Sequence, residues 1–140
     1  MEAPLLRHEL KHLETWYERK NRKPLIIRGA RQVGKSTLVR QFASQKDLRL
    51  LEINFERNPE FRQAFTTNNP DQILSTLQLL TNVEFAPSHT LLFLDEIQAA
   101  PEAITALRYF YEERPDISVL AAGSLLEFTL ANTQFSMPVG

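Results

Sequence analysis

The sequence contains no cysteine. That excludes a disulfide framework and a thiolate metal site. It has no internal repeat, no low-complexity stretch and no apolar run near the roughly 20 residues needed to span a bilayer. Neither sign of charge predominates. The formal net charge is -1, so no global basic field is present to hold nucleic acid by charge alone. The opening residues, MEAPLLRHELKHLE, carry acids and lack an apolar core, so a signal peptide is not expected. These absences lead us to expect a soluble, cytoplasmic protein with no membrane partner.

What is present fits one ordinary domain. The chain has 140 residues, of which 43% are hydrophobic and 24% charged, enough for a packed core. Leu5, Leu6, Leu10, Leu13, Trp16 and Tyr17 recur at helical spacing and predict an amphipathic N-terminal helix. A basic connector follows and ends at Pro24. Leu25-Ile26-Ile27 reads as a buried strand, and residues 36–45 as a helix with Leu38, Val39 and Phe42 on one side. Residues 50–55 predict a second strand. Asn58-Pro59 marks a turn. Asn69 is the expected cap, and Pro70 the first turn, of a helix over 71–80. Residues 90–94 predict a third strand, 101–113 a helix ending before Pro115, 117–121 a fourth strand, and 125–130 a last helix. Strands alternating with helices, and strands lacking polar alternation, predict a parallel sheet covered on both faces.

Gly29-Ala30-Arg31-Gln32-Val33-Gly34-Lys35-Ser36 matches the Walker A pattern at every fixed position, between a strand and a helix. Gly29 and Gly34 let the backbone curl close to oxygen atoms. Backbone N–H groups then face inward, and the helix offers its positive end to an anion. Lys35 supplies a point charge to the outer phosphates of a nucleoside triphosphate, and Ser36 a hydroxyl ligand for Mg²⁺. Arg31 adds positive charge without an assigned role. Residues 29–36 together with Thr37 form the expected nucleotide-binding set, with ATP and Mg²⁺ as ligands.

Leu91-Leu92-Phe93-Leu94-Asp95-Glu96 has the Walker B form. Asp95 is expected to hold Mg²⁺, and Glu96 to polarise the attacking water as general base. Adjacent acids favour hydrolysis over phosphoryl transfer to a small molecule. They also suggest the subclass in which an extra strand separates the Walker A and Walker B strands. Ser124, after Ala121-Ala122-Gly123, has two readings. It is either a sensor of the γ-phosphate or a cap for the next helix.

The phrases RGARQVGKSTLVRQF, LLFLDEIQ, ALRYFYEERP and AAGSLLEF followed by SMPVG resemble a large prokaryotic family of AAA-type ATPases of unassigned role. The resemblance implies a three-layer α/β/α P-loop NTPase core joined to a C-terminal domain of unknown function, proposed to be nuclease-like. It implies Lys35, Ser36, Asp95 and Glu96 as the ATP and Mg²⁺ site, with Ser124 at the sensor position. It also implies a further strand beyond the Met-Pro-Val-Gly phrase. Residues 1–22 are thus expected to form a helix and connector. Residues 23–140 would be a partial ATPase domain, truncated and incomplete at its C-terminal sheet edge, with the Walker A strand left as an edge. Three functional readings stay open: an ATPase module, a nucleotide-binding switch without meaningful turnover, and a small-molecule P-loop kinase. Assembly into a homo-oligomer, with a neighbour's arginine completing the site, is compatible with the resemblance.

Other patterns compete for attention. His8-Glu9-Leu10-Lys11-His12 fits H-E-x-x-H. Leu10 and Leu13 read as a buried stripe with the histidines beside it, which argues against a zinc protease and leaves incidental metal affinity open. Arg19 to Lys23 reads as a solvated basic connector in preference to a nucleic-acid contact. Trp16, Tyr17, Tyr109, Phe110 and Tyr111 read as packing residues.

Overall fold

The computed structural model describes residues 4–19, 22–27 and 34–123, with side chains described from residue 8 onward. Four strands form one sheet: β1 (Leu25–Ile27), β2 (Arg49–Asn54), β3 (Thr90–Asp95) and β4 (Ser118–Ala122). Their spatial order is β1-β4-β3-β2, and every pairing is parallel. Leu25 faces Leu120, Leu91 faces Ser118, and Leu51 faces Leu92 in register. β4 lies between the Walker A strand β1 and the Walker B strand β3. The extra strand inferred from the adjacent acids is therefore in place.

Among the described residues four helices cover the sheet: α1 (Pro4–Tyr17), α2 (Lys35–Gln45), α3 (Pro70–Thr81) and α4 (Pro101–Glu113). The period of two along each strand divides the core into two layers. Leu92, Leu94, Val119 and Ala121 point to the face packed by α3, α4 and the 3₁₀ turn Pro59–Phe65. Leu91, Phe93, Leu120 and Ala122 point to the face packed by α1 and α2. All six residues of β3 are buried, which explains its unbroken apolar run. The result is a three-layer α/β/α arrangement.

Local chemistry sets the element ends. The Asn69 side chain accepts from the backbone N–H groups of Asp71 and Gln72, and Pro70 occupies the first helical position of α3. The α3 helix ends at Asn82, which is left-handed at φ 57°. Pro101 opens α4 in the same way, and Pro115 follows its cap at Arg114.

Three details depart from the sequence reading. The segment after Asn58-Pro59 is a 3₁₀ helix, with Ala64 and Phe65 buried. β4 is shifted by one residue to Ser118–Ala122, and Ile117 packs in the core ahead of it. Arg22 is not simply solvated. Its guanidinium donates to the Tyr17 carbonyl at 3.2 Å and to Ser118 Oγ at 2.6 Å, and it lies 4.9 Å from the Tyr17 ring centroid. Trp16 Nε1 donates to the Lys23 carbonyl at 2.6 Å. The connector thus fastens α1 to the entry of β1 and β4, because the buried indole and guanidinium need acceptors there. The helix expected at 125–130 lies outside the described residues.

Candidate functional site

The described candidates, Gly34, Lys35, Ser36, Thr37, Asp95 and Glu96, lie at the carboxyl ends of the strands, where open α/β sheets place their ligands. β1 leads into the loop that reaches α2. Within that loop Gly34 is described, and residues 29–33 lie outside the described residues, as does Ser124. Gly34 has φ 77° and caps the N-terminus of α2. A Cβ there would meet nothing within 4 Å, so glycine is required by the backbone angle rather than by space.

Lys35 is 9% exposed, and its Nζ has no hydrogen-bond partner among the described residues. A buried ammonium without an acceptor is costly unless an anion completes it. Ser36 Oγ donates to Asp95 Oδ2 at 2.9 Å, joining the start of α2 to the end of β3. Thr37 is exposed on the same helix. Asp95 Oδ1 accepts the Glu96 backbone N–H at 2.9 Å. Burial pushes the Asp95 carboxyl above its ordinary range, and the hydrogen bonds from Ser36 and the Glu96 backbone pull the other way. The donor set fits a hard divalent cation. It offers a carboxylate and a hydroxyl, both oxygen ligands, beside a lysine suited to phosphate.

Glu96 has φ 52°, a left-handed conformation uncommon for a residue with a side chain. Gln98 Nε2 donates to Glu96 Oε1 at 2.8 Å. Gln98 Oε1 is buried with no donor. Reversing the amide would set two acceptors against each other, so the Glu96 bond fixes its orientation. Gln98 escaped the sequence reading, although its place two residues after Glu96 was the available signal.

Asn54, at the end of β2, stands in register with Asp95. Its Oδ1 accepts the backbone N–H groups of Glu56 at 3.0 Å and Arg57 at 2.9 Å. Beside it, Arg40 on α2 grips Glu52 with two bonds at 3.0 and 2.9 Å. The structure thus brings Gly34, Lys35, Ser36, Asp95 and Glu96 to one end of the sheet. His8 and His12 lie apart, on α1. No helix among the described residues is long and apolar enough to cross a membrane.

Solved structures share this fold. The chain is similar to a Walker-type ATPase of Pyrococcus abyssi, with a TM-score of 0.57 and 18% identity over 94% of this chain and 49% of that one. It is also similar to the Orc1 protein of Aeropyrum pernix, solved in complex with DNA, with a TM-score of 0.52 and 16% identity over 92% of this chain and 40% of that one. The chain therefore spans about half the length of the first and two-fifths of the second. No curated protein matches it in sequence. The family model of the AAA domain matches residues 21–138, and the chain belongs to that family as a nucleotide-binding P-loop module.

Proposed function

We propose that this chain binds ATP with Mg²⁺ through residues 29–36 and hydrolyses the γ-phosphate bond as the ATPase module of a larger AAA-type protein. The observation that carries the reading is the buried Lys35 Nζ, unpartnered among the described residues, next in sequence to the Ser36–Asp95 pair. Such an ammonium is completed by a polyphosphate.

Each residue then has a task. Lys35 draws in the outer phosphates and stabilises the charge that gathers there as the bond breaks. Ser36 and Asp95 would hold Mg²⁺, which supplies charge neutralisation across the phosphate oxygens. Glu96 accepts a proton from the attacking water, and Gln98 holds its carboxylate in one orientation. Ser124 contacts the γ-phosphate, the sensor position that the family resemblance implies for it. Coupling of turnover to an attached domain, assembly into a homo-oligomer and a cytoplasmic location belong to the same proposal. A net charge of -1 gives DNA no general attraction to this domain.

The test is phosphate release by the purified chain, with and without Glu96→Gln. We expect MgATP-dependent release that falls by at least about tenfold in the variant while ATP still binds. ATP binding with release at background in both proteins would contradict hydrolysis and support a switch.

A further inference from the structure

The exposed face of α1 carries a cluster unrelated to the nucleotide site. His8 and His12 are exposed, Glu9 is half-buried, and the ligand atoms of all three lie within 4.8 Å of one another. Leu10, Leu13 and Trp16 point the opposite way into the core, so packing fixes which side of the helix the histidines occupy. The two Nε2 atoms are 3.1 Å apart, and the rings meet edge to face at a centroid distance of 4.6 Å.

This spacing is informative. Two nitrogens 3.1 Å apart, each bonded to one ion at about 2.05 Å, subtend an angle of about 98°. That lies between the octahedral value of about 90° and the tetrahedral value of about 109°. The separation therefore suits two nitrogens on one ion. Without metal, one Nε2 carries the proton that the other accepts. With metal, both Nε2 lone pairs bind the ion, and that proton moves to Nδ1 of the same ring.

We propose that His8, Glu9 and His12 form a surface site for a divalent transition ion of the Zn²⁺ or Co²⁺ class. Two imidazoles and one carboxylate favour such borderline ions over Mg²⁺, which prefers oxygen ligands. The site therefore does not compete for the ion held by Ser36 and Asp95. Spanning one helical turn, the bound ion clamps residues 8–12 in helical geometry. Their inner face rests on α2, the helix that leads from Gly34. The site is a clamp and not a protease centre, because Glu9 sits among the ligands and the face is open to solvent.

Calorimetric titration of the whole chain with Zn²⁺, in buffer holding millimolar Mg²⁺, tests this. We expect one equivalent bound per chain and a melting temperature that rises with Zn²⁺ concentration. His8→Ala and His12→Ala should each weaken Zn²⁺ binding by at least about tenfold while ATP binding is unchanged, which shows that the variants fold. Glu9→Gln should weaken binding several-fold. His89→Ala, the third histidine, should leave it intact. Binding that survives His12→Ala, a stoichiometry of one ion per two chains, or displacement by Mg²⁺ would overturn the site. Unchanged affinity in Glu9→Gln would overturn the part given to that carboxylate.

Discussion

Ser36 Oγ donates to Asp95 Oδ2 across 2.9 Å, linking the first turn of α2 to the end of β3 although the two residues lie 59 positions apart in sequence. The bond sets a hydroxyl and a carboxylate oxygen side by side. It also helps retain charge on a carboxylate that burial alone would protonate more readily.

Asp95→Asn should remove the Mg²⁺-dependent part of ATP affinity. We expect ATP titrations with Mg²⁺ and with a chelator to differ clearly for the wild type and to converge in the variant. The loss should be about tenfold or more, consistent with roughly 1.5–3 kcal/mol for interactions with charged groups. An Asp95→Asn variant that kept the full Mg²⁺ effect would remove this residue from the cation site.

Gln98→Ala should leave ATP binding near the wild-type value and lower the turnover rate. The amide makes one bond to the Glu96 carboxylate, at 2.8 Å. Losing a bond to a charged group costs about 1.5–3 kcal/mol, or about tenfold to a hundredfold in rate if it acts in the transition state. Comparing Kd with kcat checks the split. A fall in binding with turnover per bound ATP unchanged would make Gln98 merely structural.

Phe42→Ala should destabilise the domain by about 3–5 kcal/mol. Phe42 is fully buried between α1, α2 and the sheet, and its ring meets Tyr17 edge to face at 5.8 Å. Urea denaturation followed by far-UV circular dichroism reads the loss as a lower midpoint. Such a loss consumes a large share of a typical domain's stability, about 5–15 kcal/mol.

Acid should weaken the tie between α3 and the entry of β4. Arg114 bonds to Asp116 and to Asp71, and the Arg114 hydrogen bond holds the Asp116 carboxyl below its ordinary range. A depressed carboxyl pKa stabilises the fold above the ordinary value of about 4, and that contribution is lost as pH falls through the depressed value. Asp95 acts in the opposite sense, because burial raises its pKa and protonation there favours the fold. Comparison of the wild type with Arg114→Gln isolates the first effect. The stability gap should be full at pH 7, shrink below about pH 4 and shrink in high salt. The pair is largely exposed, so the gap should be small.

Much of the fold was legible because its signals are local. Asn69-Pro70 announces the start of α3 through a cap and a fixed φ. The apolar run of β3 announces a strand covered on both faces. Adjacent Asp95 and Glu96 also suggested the strand that separates β1 from β3, although not the full order of the sheet. What was hidden depends on contacts distant in sequence. Arg22 is held by Ser118, 96 residues away, so its neighbours made it look like a solvated connector. The 3₁₀ helix Pro59–Phe65 is held by Phe65 packing on Phe55 at 5.4 Å, which no short pattern encodes. Gly34, Lys35, Ser36, Asp95 and Glu96 lie at one end of the sheet. Gln98 needed the left-handed turn at Glu96 to bring the two side chains together.

The proposed ATPase role depends on the buried Lys35 ammonium taking the phosphates of ATP. Calorimetric titration of the wild type and Lys35→Ala with MgATP is the decisive comparison. We expect one saturable site per chain and a loss of at least about tenfold in affinity in the variant. Equal affinity in the two proteins, or no ATP binding by the wild type, would contradict it.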